Sequence, residues 1–214
     1  FNVTPKLMRL DLPIMLLAGV VISLMGLGGF VSRGEGLVLL AMYGLYLAST
    51  VRHQRRHEQE ERQGSLRART FLWLILGAAA VYLGAEFTVR SAVRLTEIWG
   101  LADVSILALS VVAVGSSLPE LVVSLAAARK SYHDLSVGNV VGSNICNSFL
   151  VLGGPALVKP LPYSPMVWQV GVPFMLGASF LFWLFAQRGE VGRTAGLFLL
   201  LLFVLFLGTM AGVF

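Results

Sequence analysis

Seven apolar stretches dictate what this 214-residue chain can fold into. They cover residues 13–31, 36–51, 70–98, 103–128, 134–158, 165–186 and 194–213, give or take a residue or two. Runs of roughly twenty apolar residues match a hydrocarbon core about 30 Å thick as helices, and are too long for barrel strands. Hydrophobic residues make up 57% of the chain and charged ones 13%, where a soluble domain carries about 25% charged. The fold class expected is an all-α integral membrane protein with about seven transmembrane helices, and the lipid bilayer is its first partner.

The net charge of +5 invites a nucleic-acid reading, but no binding stripe exists to support one. The basic residues sit mainly in short connections between apolar spans, the positive-inside pattern. Residues 52–69 (RHQRRHEQEERQGSLRAR) form a basic loop, expected to be solvated and helical at its ends. Placing that loop in the cytoplasm puts twelve Lys and Arg on its side, Lys6, Arg9, Arg129 and Arg188 among them. Only Arg33, Arg90, Arg94 and Lys159 fall elsewhere. The expected orientation has the first residues cytoplasmic and the last residues outside.

Local signals refine the spans. Pro13 suits a first helical turn, Ser32 and Glu35 have capping-box spacing, and Asp134 is a candidate N-cap. Glu86 and Arg90 can pair at i, i+4, while Arg94 and Glu97 lie where long side chains snorkel. Gly77 and Gly84 would allow close helix approach. His53 and His57 share a helical face, but among so many arginines a cytoplasmic loop is the plainer reading than a metal site. The one cysteine, Cys146, excludes an internal disulfide and reads as a packing residue. The chain begins with Phe1 and has no signal-peptide pattern, so a piece of a longer polypeptide is expected.

The chemistry concentrates between Ala113 and Asn147. A charge at membrane depth costs roughly 2.5–3.5 kcal/mol on insertion scales, so Glu120 is a functional-site hypothesis by default. On a helix, Ser116 and Ser117 fall on the Glu120 face at i−4 and i−3. Pro119 has no N–H, which frees the Gly115 carbonyl. The following span repeats the idea: Asn139, Ser143 and Asn147 are spaced i, i+4, Asn144 lies beside them, and Gly138 and Gly142 form G-x-x-x-G. Hard oxygen ligands of this kind suit Na⁺ and Ca²⁺, and interrupted helices at the midplane are where transporters hold ions. The plainer account, amides and hydroxyls that merely glue helices together, does not explain the whole set beside a carboxylate. An intramembrane serine hydrolase would need His133 beside Ser116 or Ser117, yet His133 lies at the membrane edge, so an enzyme is not expected. A cation channel would line a pore with similar oxygens.

GSSLPEL at 115–121 and VGNVVGSNICNSFLVLG at 137–153 resemble an α-repeat of the calcium:cation antiporter superfamily, which includes the sodium/calcium exchangers, and the surrounding spans resemble its bacterial inner-membrane branch. The resemblance implies ten helices in two inverted five-helix halves, each with one α-repeat. Residues 1–51 would be the last two helices of the first half, 52–69 the cytoplasmic loop, and 70–214 the second half with its α-repeat at 113–153. It implies that Gly115, Ser116, Ser117 and Glu120 bind the transported ions, Ca²⁺ and Na⁺, with Asn139 and Ser143 opposite, and no organic cofactor. Ser116 stands where the family often has threonine, and Asn139 is read as standing where some exchangers have aspartate, leaving Na⁺ or H⁺ open as coupling ion. No second copy of either motif occurs in residues 1–112. A first α-repeat, on a missing N-terminal half or a second chain, is therefore expected to supply a second carboxylate, since an unpaired buried charge is costly. The expected activity is secondary active antiport of Ca²⁺ against Na⁺ or H⁺ across the inner membrane. The rival is a non-transporting structural or regulatory membrane fragment, and the upstream coding sequence separates the two.

Overall fold

The computed structural model describes residues 3–57, 68–98, 115 and 117–210. Among them seven helices follow in order: α1 (Leu7–Gly26), α2 (Arg33–His57), α3 (Ala68–Ile98), α4 (Leu118–Arg129), α5 (His133–Val158), α6 (Val167–Ala186) and α7 (Arg193–Met210). All but α4 are long and apolar enough to cross a membrane. The fold is all-α; among the described residues Phe30–Val31 and Leu161–Pro162 form a short antiparallel pairing. The start of the fourth span at Asp103, the middle of the basic loop and the end of the seventh span at Val213 lie outside the described residues, as does the Glu97 side chain.

Three prolines shape three helices in the same way. Pro13, Pro155 and Pro173 cannot donate to the carbonyl four residues back, and each follows a widened π turn. Those turns are Leu7–Asp11, Asn147–Val151 and Val167–Gly171, closed by i→i−5 bonds from Leu12, Leu152 and Val172. Pro13 therefore lies inside α1, not in its first turn, because the π turn absorbs the missing bond. The expected capping box is present: the Ser32 N–H donates to Glu35 Oε2 at 2.7 Å, and the Glu35 N–H donates to Ser32 Oγ at 3.3 Å. Asp134 is not the N-cap. Ser131 takes a left-handed conformation (φ 60°), the Tyr132 N–H returns to the Ala127 carbonyl, and Tyr132 takes the N-cap position, two residues before Asp134. Asp134 sits in the first turn, where its charge still meets the helix dipole. Glu86 and Arg90 do pair, at 2.7 Å.

The α1–α2 pair and the α6–α7 pair repeat one pattern in a constant register. Pro13 matches Pro173, Gly29 matches Gly189, Val31 matches Val191 and Arg33 matches Arg193. Both glycines are left-handed, at φ +75° and +76°, which an L side chain resists. The pairs are tied reciprocally: the Val3 N–H donates to the Gly189 carbonyl, and the Tyr163 N–H donates to the Gly29 carbonyl, both at 2.9 Å. The start of each long helix thus meets the end of the other, so α1 and α6 run antiparallel about a local two-fold axis.

The core lies where α1, α2 and α5 meet. Leu12, Leu39, Val141, Ile145 and Phe149 are almost fully buried there. α2 and α5 approach most closely at glycines. A Cβ on Gly36 would meet the Ala156 Cβ and the Gly153 carbonyl oxygen at 2.9 Å, whereas one on Gly44 would meet nothing within 4 Å. Gly36→Ala should therefore lower stability by about 1–3 kcal/mol through overpacking, while Gly44→Ala should change it by less than about 0.5 kcal/mol; melting of the two purified variants checks the contrast.

Tyr163, between α5 and α6, is half-buried and donates to the Ile22 carbonyl at 3.2 Å. Burial pushes its phenol above the usual value, and the Glu35 carboxylate adds to the shift. A raised folded-state pKa gives stability that is complete below about pH 10 and is lost as pH rises through the folded value. Melting temperatures followed upward from pH 10 should fall more steeply for wild type than for Tyr163→Phe.

Candidate ion-binding site

α4 and α5 form a tight hairpin, and the turn at Lys130–Tyr132 sets which residues face each other. Positions at similar distances from the turn meet, so the first half of α4 lies against the middle of α5. Glu120 stands in the first turn of α4, with Pro119 just before it and Ser117 at the N-cap position. Proline is tolerated there because that N–H has no intrahelical partner in any case. Gly115 is helical and buried, Ser117 is a turn residue with φ −94° and ψ 0°, and the regular helix resumes at Leu118. The expected proline distortion is thus a helix start. Ser117 is exposed and its hydroxyl does not cap the helix. Ser116 lies outside the described residues.

Arg129 and Lys130 close the far end of α4. At about 1.5 Å per residue, Glu120 lies about 14 Å along the axis from Arg129, near mid-depth of a core about 30 Å thick. A helix N-terminus carries a partial positive charge, which favours a carboxylate in its first turn. Glu120 Oε2 is buried and has no hydrogen-bond partner among the described residues.

The partner face on α5 is polar. Asn139 Nδ2 donates to the Glu120 carbonyl at 3.1 Å and to Ser124 Oγ at 2.9 Å. Ser136 Oγ donates to the Ser124 carbonyl at 2.9 Å, and both serines are buried. Ser143, one turn further on, donates its hydroxyl to the Val140 carbonyl at 3.0 Å, and Asn144 Nδ2 does so at 2.8 Å. Of the expected site residues, the described structure brings Glu120 and Asn139 together directly. It places Gly115 and Ser117 at the broken start of α4, and Ser143 along the same helix as Asn139. Ser124 and Ser136 belong to this seam and were not expected. The signal was their spacing, since Ser124 is four residues after Glu120 and Ser136 three before Asn139. Asn144, Asn147 and Ser148 line a cavity of about 550 Å³ shared with Tyr163 and Ser164. Nothing described lies within 4 Å of a Cβ placed at Gly138 or Gly142, so the close contact expected of this G-x-x-x-G is not made within these residues; the same holds for Gly77 and Gly84. His133 starts α5 at the turn, while Ser117 is at the opposite end of α4, so these two do not pair, and Ser116 lies outside the described residues. No group of three or more His, Cys, Asp or Glu among the described residues could hold a metal, and the His57 side chain is not among those described.

The model of the family described as "Sodium/calcium exchanger protein" matches residues 69–212. The chain belongs to this family. The inner membrane protein YrbG of Escherichia coli (strain K12) is 32% identical over 93% of the chain and 65% of its own length. The sodium/calcium exchanger MaX1 of Methanosarcina acetivorans is 38% identical over 65% of the chain and 40% of its own length. Among solved structures, the sodium/calcium exchanger of Methanococcus jannaschii superposes with a TM-score of 0.75 at 31% identity, over 95% of this chain and 65% of that one. The same exchanger soaked with 2.5 mM Na⁺ and 10 mM Sr²⁺ gives a TM-score of 0.80. The chain thus spans between about two fifths and two thirds of the length of these relatives. It is a multi-pass membrane protein of a cation-exchanger family, and that family is one of transporters, not enzymes.

Proposed function

We propose that this chain carries one half-site of a secondary active antiporter that exchanges Ca²⁺ for Na⁺ or H⁺ across the inner membrane. The observation that carries the reading is the buried Oε2 of Glu120, which has no hydrogen-bond partner among the described residues and lies near mid-depth by helix rise. A carboxylate there costs free energy unless a cation or proton compensates it, and a transported ion does so in each half of the cycle. Gly115, Ser116, Ser117 and Ser143 would add hard oxygens. Ca²⁺ takes six to eight such oxygens, more than this half supplies. A second carboxylate from an upstream α-repeat would complete the set and balance the divalent charge.

The repeat supports the domain reading, in which α1 and α2 close a first half and α3–α7 form the second. On α1–α2 the inner groove is filled by α5, with Leu39 fully buried. On α6–α7 the matching groove, lined by Phe174, Leu199 and Phe206, holds a cavity of about 240 Å³; the first-half counterpart of α5 would lie against it. The basic connections favour the cytoplasm for the start of α1 and the 52–69 loop.

The test is ⁴⁵Ca²⁺ uptake into vesicles containing the complete polypeptide, under an imposed Na⁺ or pH gradient. Wild type should take up Ca²⁺ under one of them, naming the coupling ion, and Glu120→Gln should lose uptake by at least about a hundredfold, the loss of one charged ligand of about 3 kcal/mol. Equal uptake in both proteins would remove Glu120 from the site, and no uptake under either gradient would favour a non-transporting role.

A further inference from the structure

We propose that Asn139 is a positioning residue for Glu120: it holds the carboxylate-bearing turn of α4 against α5 through the Glu120 carbonyl and Ser124. The inference rests on the reading of Glu120 as an ion ligand, and it assigns Asn139 a role other than ligand.

The Glu120 carbonyl oxygen can only accept, so the atom facing it at 3.1 Å is the amide nitrogen of Asn139 and not its oxygen. That nitrogen has two hydrogens. The second goes to Ser124 Oγ at 2.9 Å. Both donors are therefore committed to α4. Ser136 adds a third bond to the same turn through the Ser124 carbonyl. All three fall between Glu120 and Ser124, the single turn from which the carboxylate projects. Ser124 and Ser136 are 9% and 7% exposed, so water does not compete for these bonds. An ion ligand needs precise placement of its oxygens, and residues that lock the supporting shell set that placement.

The two roles make opposite demands on residue 139. A ligand needs Oδ1 and gains from a carboxylate. A clamp needs Nδ2, which aspartate lacks, and a carboxylate would face the Glu120 carbonyl in repulsion. The experiment compares wild type, Asn139→Asp, Asn139→Ala, Ser124→Ala and the Asn139→Ala/Ser124→Ala double variant in the complete polypeptide. Ca²⁺ dependence of gradient-driven uptake gives KM and kcat, and melting of the same purified proteins gives Tm. A clamp raises KM for Ca²⁺ about tenfold in Asn139→Asp, equivalent to about 1.4 kcal/mol. Ser124→Ala moves KM in the same direction, and the double variant loses no more than Asn139→Ala alone, because the two residues share one network. An Asn139→Asp protein with a lower KM for Ca²⁺, or a Ser124→Ala protein with wild-type KM, overturns the inference. Absence of uptake in wild type sinks the antiport reading instead, and the melting cycle still decides the clamp: non-additive Tm losses uphold it, additive losses overturn it.

Discussion

A carboxylate half-way through a bilayer sets the terms for the rest of this molecule. Lipid offers neither hydrogen bonds nor counter-charge, so whatever holds Glu120 must come from the protein or from a passing ion. The chain prepares that place with a helix that begins at mid-depth. Starting α4 at Leu118 puts the positive end of a helix dipole beside the carboxylate. It also leaves Ser117 as a turn residue, with φ −94° and ψ 0°, between the helical Gly115 and Leu118. The polar seam with α5 then fixes the turn without touching the carboxylate oxygens. One oxygen of Glu120 is left with nothing described to bind it, which is the condition a reversible ion site requires.

The scaffold around this hairpin is built twice from one pattern. The reciprocal bonds from Val3 to Gly189 and from Tyr163 to Gly29 bind the two copies across a local two-fold axis. The copies are not equivalent inside. Asp11 on α1 is buried, accepts from Tyr46 at 3.2 Å and lies 3.9 Å from Lys6. The matching positions on α6 and α7 are Gly171 and Phe206, and a groove stands there instead. Among the described residues α5 packs on the α1–α2 side, and that accounts for the difference: a covered pair needs its polar groups satisfied internally, whereas an open groove needs only apolar walls.

Much of this was legible from spacing. The apolar runs located the helices, and the S-x-x-E at Ser32–Glu35 and the i, i+4 pair at Glu86–Arg90 formed as written. What sequence spacing missed has common physical causes. Pro13 looked like a helix start because its missing N–H is harmless there, but a π turn makes it harmless inside a helix as well. Asp134 looked like a cap because its side chain can serve as one; the turn geometry at Ser131 decided otherwise. Gly138 and Gly142 looked like a contact face, yet the close crossing falls at Gly36 and Gly153, a pair far apart in sequence. Ser124 and Ser136 were not singled out at all: their spacing from Glu120 and Asn139 gains meaning once the hairpin register sets the two helices side by side.

The helices differ in how firmly they are held, and the bilayer makes that difference meaningful. α1, α2, α5 and α6 share the buried core, while among the described residues α3 makes its main contact with α4. Phe71, Trp73, Tyr82 and Phe87 on α3 are more than half exposed. In water such a surface would drive association, but lipid tails are as apolar as these side chains, so α3 has no hydrophobic penalty for changing neighbours. Polar bonds are different, because breaking one in lipid leaves donors and acceptors without substitutes. Within the described residues the hydrogen-bonded α4–α5 hairpin is therefore the element whose rearrangement lipid would penalise most.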